Sequence, residues 1–270
     1  MYGSQHLAVM YHAQNIITSD IVAVKLEPII DRSSSVQRGV GIPCALWFSR
    51  ESTYHTLVLD LLGSLLHSLF LAHNHKFSLH TFVDLADQLL SCLEYIHSHN
   101  YVHGDIKPQN VMVGLHDLRH TAFIIDFGIT KEYCDTSTRL YPGHCDDLES
   151  LTYMLIYFLH GSLQWLTSDH EKLSSSSMLE HKANTTIEVL CHGIPVEFVT
   201  LLIYTCSLAF SEDLDYDHLC SLIHDLLDFS QSSDPVTMVT CSPPFSSECL
   251  VAEAVTPCLL KVMPPCRTHM

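Results

Sequence analysis

The chain has 270 residues, of which 47% are apolar, so it is long enough to bury a substantial hydrophobic core. Only 13 lysines and arginines stand against 30 aspartates and glutamates, and the formal net charge is -17. Because so acidic a chain lacks the positive charge that grips phosphate backbones, this composition argues against a nucleic-acid-binding protein.

Cysteine usage and apolar segments both bear on the compartment. The 11 cysteines are odd in number, scattered along the chain and never spaced as C-x-x-C, which is typical of reduced intracellular thiols. The N-terminus lacks the features of a signal peptide. The longest apolar segments, 57–72 and 198–210, are interrupted by polar residues or shorter than the roughly 20 residues of a membrane span. We therefore expect an intracellular protein, in the cytoplasm, the nucleus or both, that does not associate with membranes.

The first 62 residues have the pattern of β-strands. Segments 20–26 (DIVAVKL) and 55–62 (HTLVLDLL) are short, apolar and rich in β-branched residues. Between them, residues 28–43 carry turn-forming residues and leave no room for a helix of ordinary length. The sequence therefore predicts a small, strand-rich unit over residues 1–62.

From Ser78 onward, apolar residues recur every three and four positions. This spacing predicts a long, largely buried helix over residues 78–100, with Ser78 capping its first turn. Two short apolar segments, NVMV and AFIID, then predict a hairpin-like pair of strands with polar residues at its ends. The segment 146–161 is again helical and ends at a glycine. Further helices are expected near 187–191, 196–210 and 216–228.

The composition changes after Phe229. Residues 230–270 are rich in serine, proline, threonine and cysteine, so we expect a mostly disordered tail. The predicted organisation is a strand-rich part over 1–62, a helical part over 63–229 and this tail.

Two motifs, HGDIKPQN and IIDFG, carry the side chains that phosphoryl transfer needs. Asp105 would orient or deprotonate the attacking hydroxyl group, and Lys107 would neutralise charge on the transferred phosphoryl group. Asn110 and Asp126 would bind Mg²⁺, which prefers oxygen ligands. The first motif follows the long helix, and the second overlaps the predicted hairpin.

A further candidate, Lys25 in VAVK, lies on a predicted strand and would hold the α and β phosphates of ATP. Each of these elements alone has a simpler interpretation. A DFG sequence often forms a turn after a strand, VAVK is an ordinary strand, and HxD arises readily in a chain with 20 histidines. Their joint order and their placement on strand, loop and strand match the protein kinase signature set.

The chain resembles one kinase family over most of its length. The segments VAVKLEP, GIPCALWF, KFSLHTFVDLADQLLSCLEYIHSHNYVHGDIKPQN, FIIDFGITKEY and DDLESLTYMLIYFLHGSLQW are similar to the casein kinase I family of serine/threonine kinases, from about Gly3 to Phe229. The resemblance implies a bilobal α+β fold with a reduced β-rich N-lobe, a mainly helical C-lobe and ATP between them. It also implies Mg²⁺ as cofactor and a protein substrate.

The same resemblance assigns further site residues. Gly3 would be the remaining glycine of the loop that covers ATP. Leu59 would be the gatekeeper, and the backbone from Asp60 to Leu62 would be the hinge that hydrogen-bonds adenine. Asp147 would be the buried aspartate that begins a central helix and supports the catalytic loop.

Several positions depart from the family pattern in the N-terminal part. Gln5 and Ala8 stand where the ATP-covering loop has its other two glycines, and Gln5 adds a side chain where the loop should close. Only the 12 residues 29–40 separate KLEP from GIP, although a mean helix alone takes about 11 to 12 residues. Lys25 is therefore expected to lack its usual glutamate partner, with Asp31 and Glu51 as conceivable substitutes.

Further departures affect substrate binding. Gly104 replaces the arginine of the HRD motif, and the segment after IIDFG passes almost directly to the central helix. His144 and Cys145 stand where the family has basic residues for phosphorylated substrates, and Thr152 replaces a glycine. The substrate-binding platform is therefore the least complete part of the predicted kinase.

Three hypotheses remain open at this point. The chain is a casein kinase I-type kinase, a pseudokinase that binds nucleotide or a protein partner as a scaffold, or a misspliced product whose true form contains the missing segments. The losses predict weak or absent transfer, because the lysine–glutamate pair and the ordered segment position the other groups. The oligomeric state is open, with a monomer expected.

Overall fold

A computed structural model describes residues 9–15, 17–28, 40–50, 54–132, 143–163, 180, 182–208 and 214–232. An antiparallel sheet forms the N-terminal part and helices form most of the C-terminal part, so the predicted α+β class is confirmed. Several predictions lie outside these residues: Gly3 and its loop, Asp31, Glu51, the shortened segment 133–142 and the tail from residue 233.

The N-terminal sheet has four strands: β1 (Val9–Gln14), β2 (Ile21–Pro28), β3 (Ala45–Arg50) and β4 (Tyr54–Asp60). Their order is β1-β2-β4-β3, with antiparallel neighbours throughout. Lys25 lies opposite Met10 on one side and Leu57 on the other, so it occupies the middle of the sheet. The two inner strands match the predicted strand segments, whereas the two edge strands were not individually predicted.

The C-terminal part combines helices with short strand pairs. The elements in chain order are α1 (Leu66–Ala72), α2 (Leu79–Ser98), β5 (Tyr101–Val102), β6 (Val111–Val113), β7 (Ala122–Ile124), β8 (Lys131–Glu132), α3 (His144–His160), α4 (Ile187–Leu190), α5 (Val196–Ser207) and α6 (Tyr216–Ser232). Strands β6 and β7 form the predicted hairpin, and β5 pairs with β8.

The helix boundaries follow from local sequence signals. The Ser78 hydroxyl accepts a hydrogen bond from the Thr81 N–H at 3.1 Å, which confirms the predicted cap of α2. Helix α3 ends at Gly161, whose φ of +83° suits glycine. Helix α6 continues to Ser232, so its last three residues, 230–232, belong to the predicted tail.

The core is centred on α2, which packs against α3 and α6. A short connection attaches the sheet to this core. Gly41 has a φ of +69°, and its carbonyl accepts hydrogen bonds from the Ile124 N–H at 2.8 Å and from the Cys92 thiol at 3.3 Å. Ile42, the next residue, is buried in the core. Burial raises the pKa of the Cys92 thiol to about 12, so it remains protonated and able to donate.

No helix in the described ranges combines the length and the apolarity that crossing a membrane requires.

Candidate active site

The HGDIKPQN motif forms a loop between β5 and β6 that closes on the Asp105 carboxylate. Lys107 Nζ donates to Asp105 Oδ2 at 2.7 Å. Asn110 Nδ2 donates both to Asp105 Oδ2 at 2.8 Å and to the Asp105 carbonyl at 2.9 Å. The other carboxylate oxygen, Oδ1, receives no hydrogen bond from the part of the chain that the structure describes. The loop thus fixes one edge of this carboxylate and leaves the other for a ligand.

Asn110 links the loop to the strand that carries the second motif. It ends a short 3₁₀ turn, Pro108–Asn110, and its side chain is only 6% exposed. The carbonyl of Asn110 accepts from the Ile125 N–H at 2.9 Å, which places the next residue, Asp126, beside the loop. Because the amide nitrogen of Asn110 donates to Asp105, its amide oxygen remains available as a ligand.

The lysine of β2 reaches the aspartate of IIDFG directly. Lys25 Nζ lies 2.8 Å from Asp126 Oδ1, and the two side chains are 13% and 49% exposed. Asp126 has a left-handed backbone, with a φ of +68° and a ψ of 65°. A residue other than glycine rarely adopts this conformation, and such outliers cluster at functional sites. The sheet and the helical part therefore meet at this ion pair.

The environment of Asp126 favours its ionised form. Partial burial acts to raise the pKa of this carboxyl group, but the hydrogen bond and charge of Lys25 outweigh it, helped by the Gly128 backbone N–H. The net result is a pKa below the ordinary value of 3.8. The pair therefore adds stability above the ordinary carboxyl pKa, and this contribution is lost as the pH falls through the lowered value.

Replacing Lys25 with methionine is expected to raise the pKa of Asp126 above its value in the unchanged protein. The substitution removes the charge and the donor that lower the pKa, whereas the opposing burial remains. The measurement is a carbon-13 NMR titration of the Asp126 carboxyl group in both proteins. An unchanged midpoint would contradict the ion pair as the cause of the low pKa.

The buried ring of His103 connects the two motifs through hydrogen bonds. Its side chain is fully buried, Nδ1 accepts from the Asp105 N–H at 3.2 Å, and Nε2 donates to the Ile125 carbonyl at 3.0 Å. This pairing requires the neutral tautomer with its proton on Nε2. Burial lowers the pKa of His103 and is only partly opposed by Asp147, the next strongest influence, so the ring stays neutral. His103 therefore holds the backbones before Asp105 and Asp126 at a fixed spacing.

Asp147 is the buried anchor of the HGDIKPQN loop. It lies in the first turn of α3, is 1% exposed, and accepts from the backbone N–H groups of His103 at 2.7 Å and Gly104 at 2.8 Å. It also accepts from His97 Nε2 at 2.9 Å. The burial and loop contacts predicted for Asp147 are confirmed. Gly104 has a φ of +77°, a backbone that suits the glycine present here better than the arginine of the HRD motif.

A comparison with known families agrees with this geometry. The family model of the protein kinase domain matches residues 41–186, which is more than half of the chain. The chain belongs to the protein kinase domain family. The match includes the loop around Asp105, Asp126 and Asp147, and it begins after Lys25. Members of this family generally use ATP and Mg²⁺ and act on protein substrates, so a kinase function in general follows from membership.

The oxygen atoms available in this kinase domain fit Mg²⁺. Asn110 offers an amide oxygen, and Asp126 offers a carboxylate that its surroundings keep ionised. A hard cation of this size prefers such ligands and retains several water molecules. Within the described residues there is no group of three or more histidine, cysteine or acidic side chains that could hold a different metal.

The predicted adenine hinge of the kinase domain connects β4 to the helical part. Leu59 lies opposite Ala23 of β2. The Asp60 N–H donates to the Cys44 carbonyl at 3.2 Å, and the Asp60 carboxylate accepts from the Cys44 N–H at 3.0 Å. The backbone N–H and the carboxylate of Asp60 therefore both bind Cys44, the residue before β3. Leu62 follows as a half-buried residue, and the roles of Leu59, Asp60 and Leu62 toward adenine remain predictions.

Two parts of this arrangement were not predicted from the sequence. Lys25 was not paired with Asp126, and His97, which contacts Asp147 from the end of α2, was given no role. A usable signal existed for His97, because it lies four residues after Leu93 on the buried side of α2. A histidine in a buried row requires a polar partner.

Proposed function

We propose that this kinase domain is a protein serine/threonine kinase of the casein kinase I type. It would transfer the γ-phosphoryl group of ATP to a hydroxyl group of a protein substrate. The observation that carries the proposal is the Asp105 carboxylate, which Lys107 and Asn110 orient within a loop anchored by Asp147. Phosphoryl transfer depends mostly on placement and charge, and this loop supplies both.

Each side chain has a distinct role in the proposed reaction. The substrate oxygen attacks the γ-phosphorus, the bond to the bridging oxygen breaks, and ADP leaves. Asp105 accepts the hydroxyl proton, and Lys107 lies close enough to stabilise negative charge on the moving group. Mg²⁺, when bound by Asn110 and Asp126, would neutralise charge on the phosphates. Lys25 would turn from Asp126 to the α and β phosphates.

A pseudokinase is the second candidate, and the Lys25–Asp126 ion pair favours it. In this pair, the cation expected to bind phosphate and the carboxylate expected to bind Mg²⁺ satisfy each other at 2.8 Å. Nucleotide binding must separate them, which costs part of the binding energy. A chain that must break this ion pair to bind nucleotide, and that has a glycine at position 104, would bind nucleotide or a protein partner without phosphoryl transfer.

A transfer assay distinguishes the two candidates. The full chain is incubated with Mg²⁺, γ-labelled ATP and casein, an acidic protein, beside the variants Asp105→Asn and Asp84→Asn. We expect label to enter casein slowly and to fall about 100-fold in Asp105→Asn, because a positioned base contributes roughly 10²- to 10⁴-fold. Asp84→Asn removes an exposed carboxylate on α2 and should leave the rate unchanged. Equal incorporation by the unchanged protein and Asp105→Asn would reject the kinase proposal.

A further inference from the structure

A buried chain of polar contacts links the last described helix to the catalytic loop. His97 Nε2 contacts Asp147 Oδ2 at 2.9 Å, and His97 Nδ1 contacts the hydroxyl group of Tyr216. Tyr216 is the first residue of α6 and lies 119 positions further along the chain. The proposed reaction does not use either residue, yet both connect to the carboxylate that anchors the loop.

The hydrogen-bond inventory fixes the direction of these contacts. Asp147 accepts two backbone N–H groups through its carboxylate, so it also acts as the acceptor toward His97. His97 must therefore carry a proton on Nε2. In the neutral ring Nδ1 is then an acceptor, and the hydroxyl of Tyr216 is its donor.

The surroundings of Tyr216 keep this donor protonated. Burial is the main cause that raises the pKa of its hydroxyl, and the charges of Asp147 and Glu94 raise it further. The His97 ring is also held from the side, because His144 stacks on it with centroids 4.4 Å apart. Stacking restrains the ring plane but does not choose which nitrogen carries the proton. The Asp147 carboxylate makes that choice, and the hydroxyl of Tyr216 donates to the Nδ1 acceptor that remains.

We propose that Tyr216 is a positioning residue for the catalytic loop and acts through His97 and Asp147. Its hydroxyl donates to Nδ1 and holds the His97 ring in position to donate to Asp147, and it thereby steadies the carboxylate to which the amides of His103 and Gly104 are bound. The consequence for catalysis rests on the proposed kinase function, whereas the structural coupling does not. The same coupling would operate in a pseudokinase.

The test compares Tyr216→Phe with Tyr204→Phe in the full chain. Both substitutions remove one tyrosine hydroxyl near the start of α6, but the hydroxyl of Tyr204 accepts the Asp215 N–H and does not contact His97. Nitrogen-15 NMR reports the hydrogen bond that His97 Nδ1 accepts, and hydrogen exchange reports the amides of His103 and Gly104. For Tyr216→Phe we expect the Nδ1 resonance to shift as this hydrogen bond is lost, and exchange roughly 3- to 10-fold faster at both amides, the effect of about one hydrogen bond. Tyr204→Phe should change neither.

A double-mutant cycle separates this role from simple support of α6. In a His97→Gln background, Tyr216→Phe should no longer accelerate exchange at His103 and Gly104, because the ring that transmits the effect is gone. An unchanged Nδ1 resonance in Tyr216→Phe, faster exchange that persists in the His97→Gln background, or acceleration spread equally over α6 and the loop would each overturn the proposal. None of these measurements depends on turnover, so an inactive kinase would not affect the outcome.

Discussion

Replacing Asp147 with asparagine is expected to lower the free energy of unfolding by about 3 kcal/mol and to slow transfer at least about 100-fold. Three N–H donors, from His97, His103 and Gly104, converge on this buried carboxylate. Asparagine has nearly the same shape, but its NH₂ group must face at least one of these donors. The substitution therefore leaves a buried donor without an acceptor and releases the loop that positions Asp105.

The matched control for this prediction is the neighbouring residue. Asp146 is exposed, and its carboxylate accepts the Gly143 N–H at 2.7 Å at the start of the same helix. Asp146→Asn removes the same charge and should cost about 1 kcal/mol or less, as expected for a helix cap. Urea unfolding followed by circular dichroism measures both variants. Similar losses in the two variants would show that Asp147 acts only through its charge at the helix N-terminus.

The fold was predictable where burial imposes a period on the sequence. Helix α2 has apolar residues at three- and four-residue spacing and a capping serine, and both were sufficient to locate it. The edge strand β3 was missed because it is largely exposed and so lacks the alternation of a half-buried strand. Helix α1 was missed because it has only seven residues and its N-cap, Leu65, provides no capping side chain.

The site was predictable to the extent that it is local. Asp105, Lys107 and Asn110 lie within six residues, so their spacing in a tight loop already implied the contacts that the structure contains. Lys25 and Asp126 are 101 positions apart. Their common location could be predicted from the kinase motifs, but their direct ion pair could not, because it depends on how the sheet sits over the loop.

The Lys25–Asp126 pair gives one carboxylate two tasks. Asp126 anchors the lysine of β2 and is the only charged member of the proposed Mg²⁺ ligand pair, since Asn110 is neutral. In the proposed reaction, the phosphates of Mg·ATP would replace Asp126 as a partner of Lys25, and Asp126 would turn its charge to the metal. The strength of nucleotide binding should therefore depend on Mg²⁺ through this residue.

Replacing Asp126 with asparagine is expected to remove the Mg²⁺-dependent part of the stabilisation by ATP and to slow transfer about 1000-fold. A ligand at about 100 times its Kd stabilises the folded protein by about 2.7 kcal/mol, so a rise in Tm reports binding. The Tm is measured with ATP and Mg²⁺ and with ATP and a chelator. In the unchanged protein, Mg²⁺ should increase the shift, whereas in Asp126→Asn the two shifts should be equal.

Asp84→Asn is again the control, because it removes one exposed carboxylate near the start of α2 and should keep the full response to Mg²⁺. A Mg²⁺-dependent shift that survives in Asp126→Asn would contradict the assignment of Asp126 as a ligand. A shift with ATP that Mg²⁺ does not increase in the unchanged protein would instead favour a pseudokinase, since nucleotide would then bind without Mg²⁺ at Asp126. The same pair of measurements therefore tests both the metal ligand and the balance between the two candidate functions.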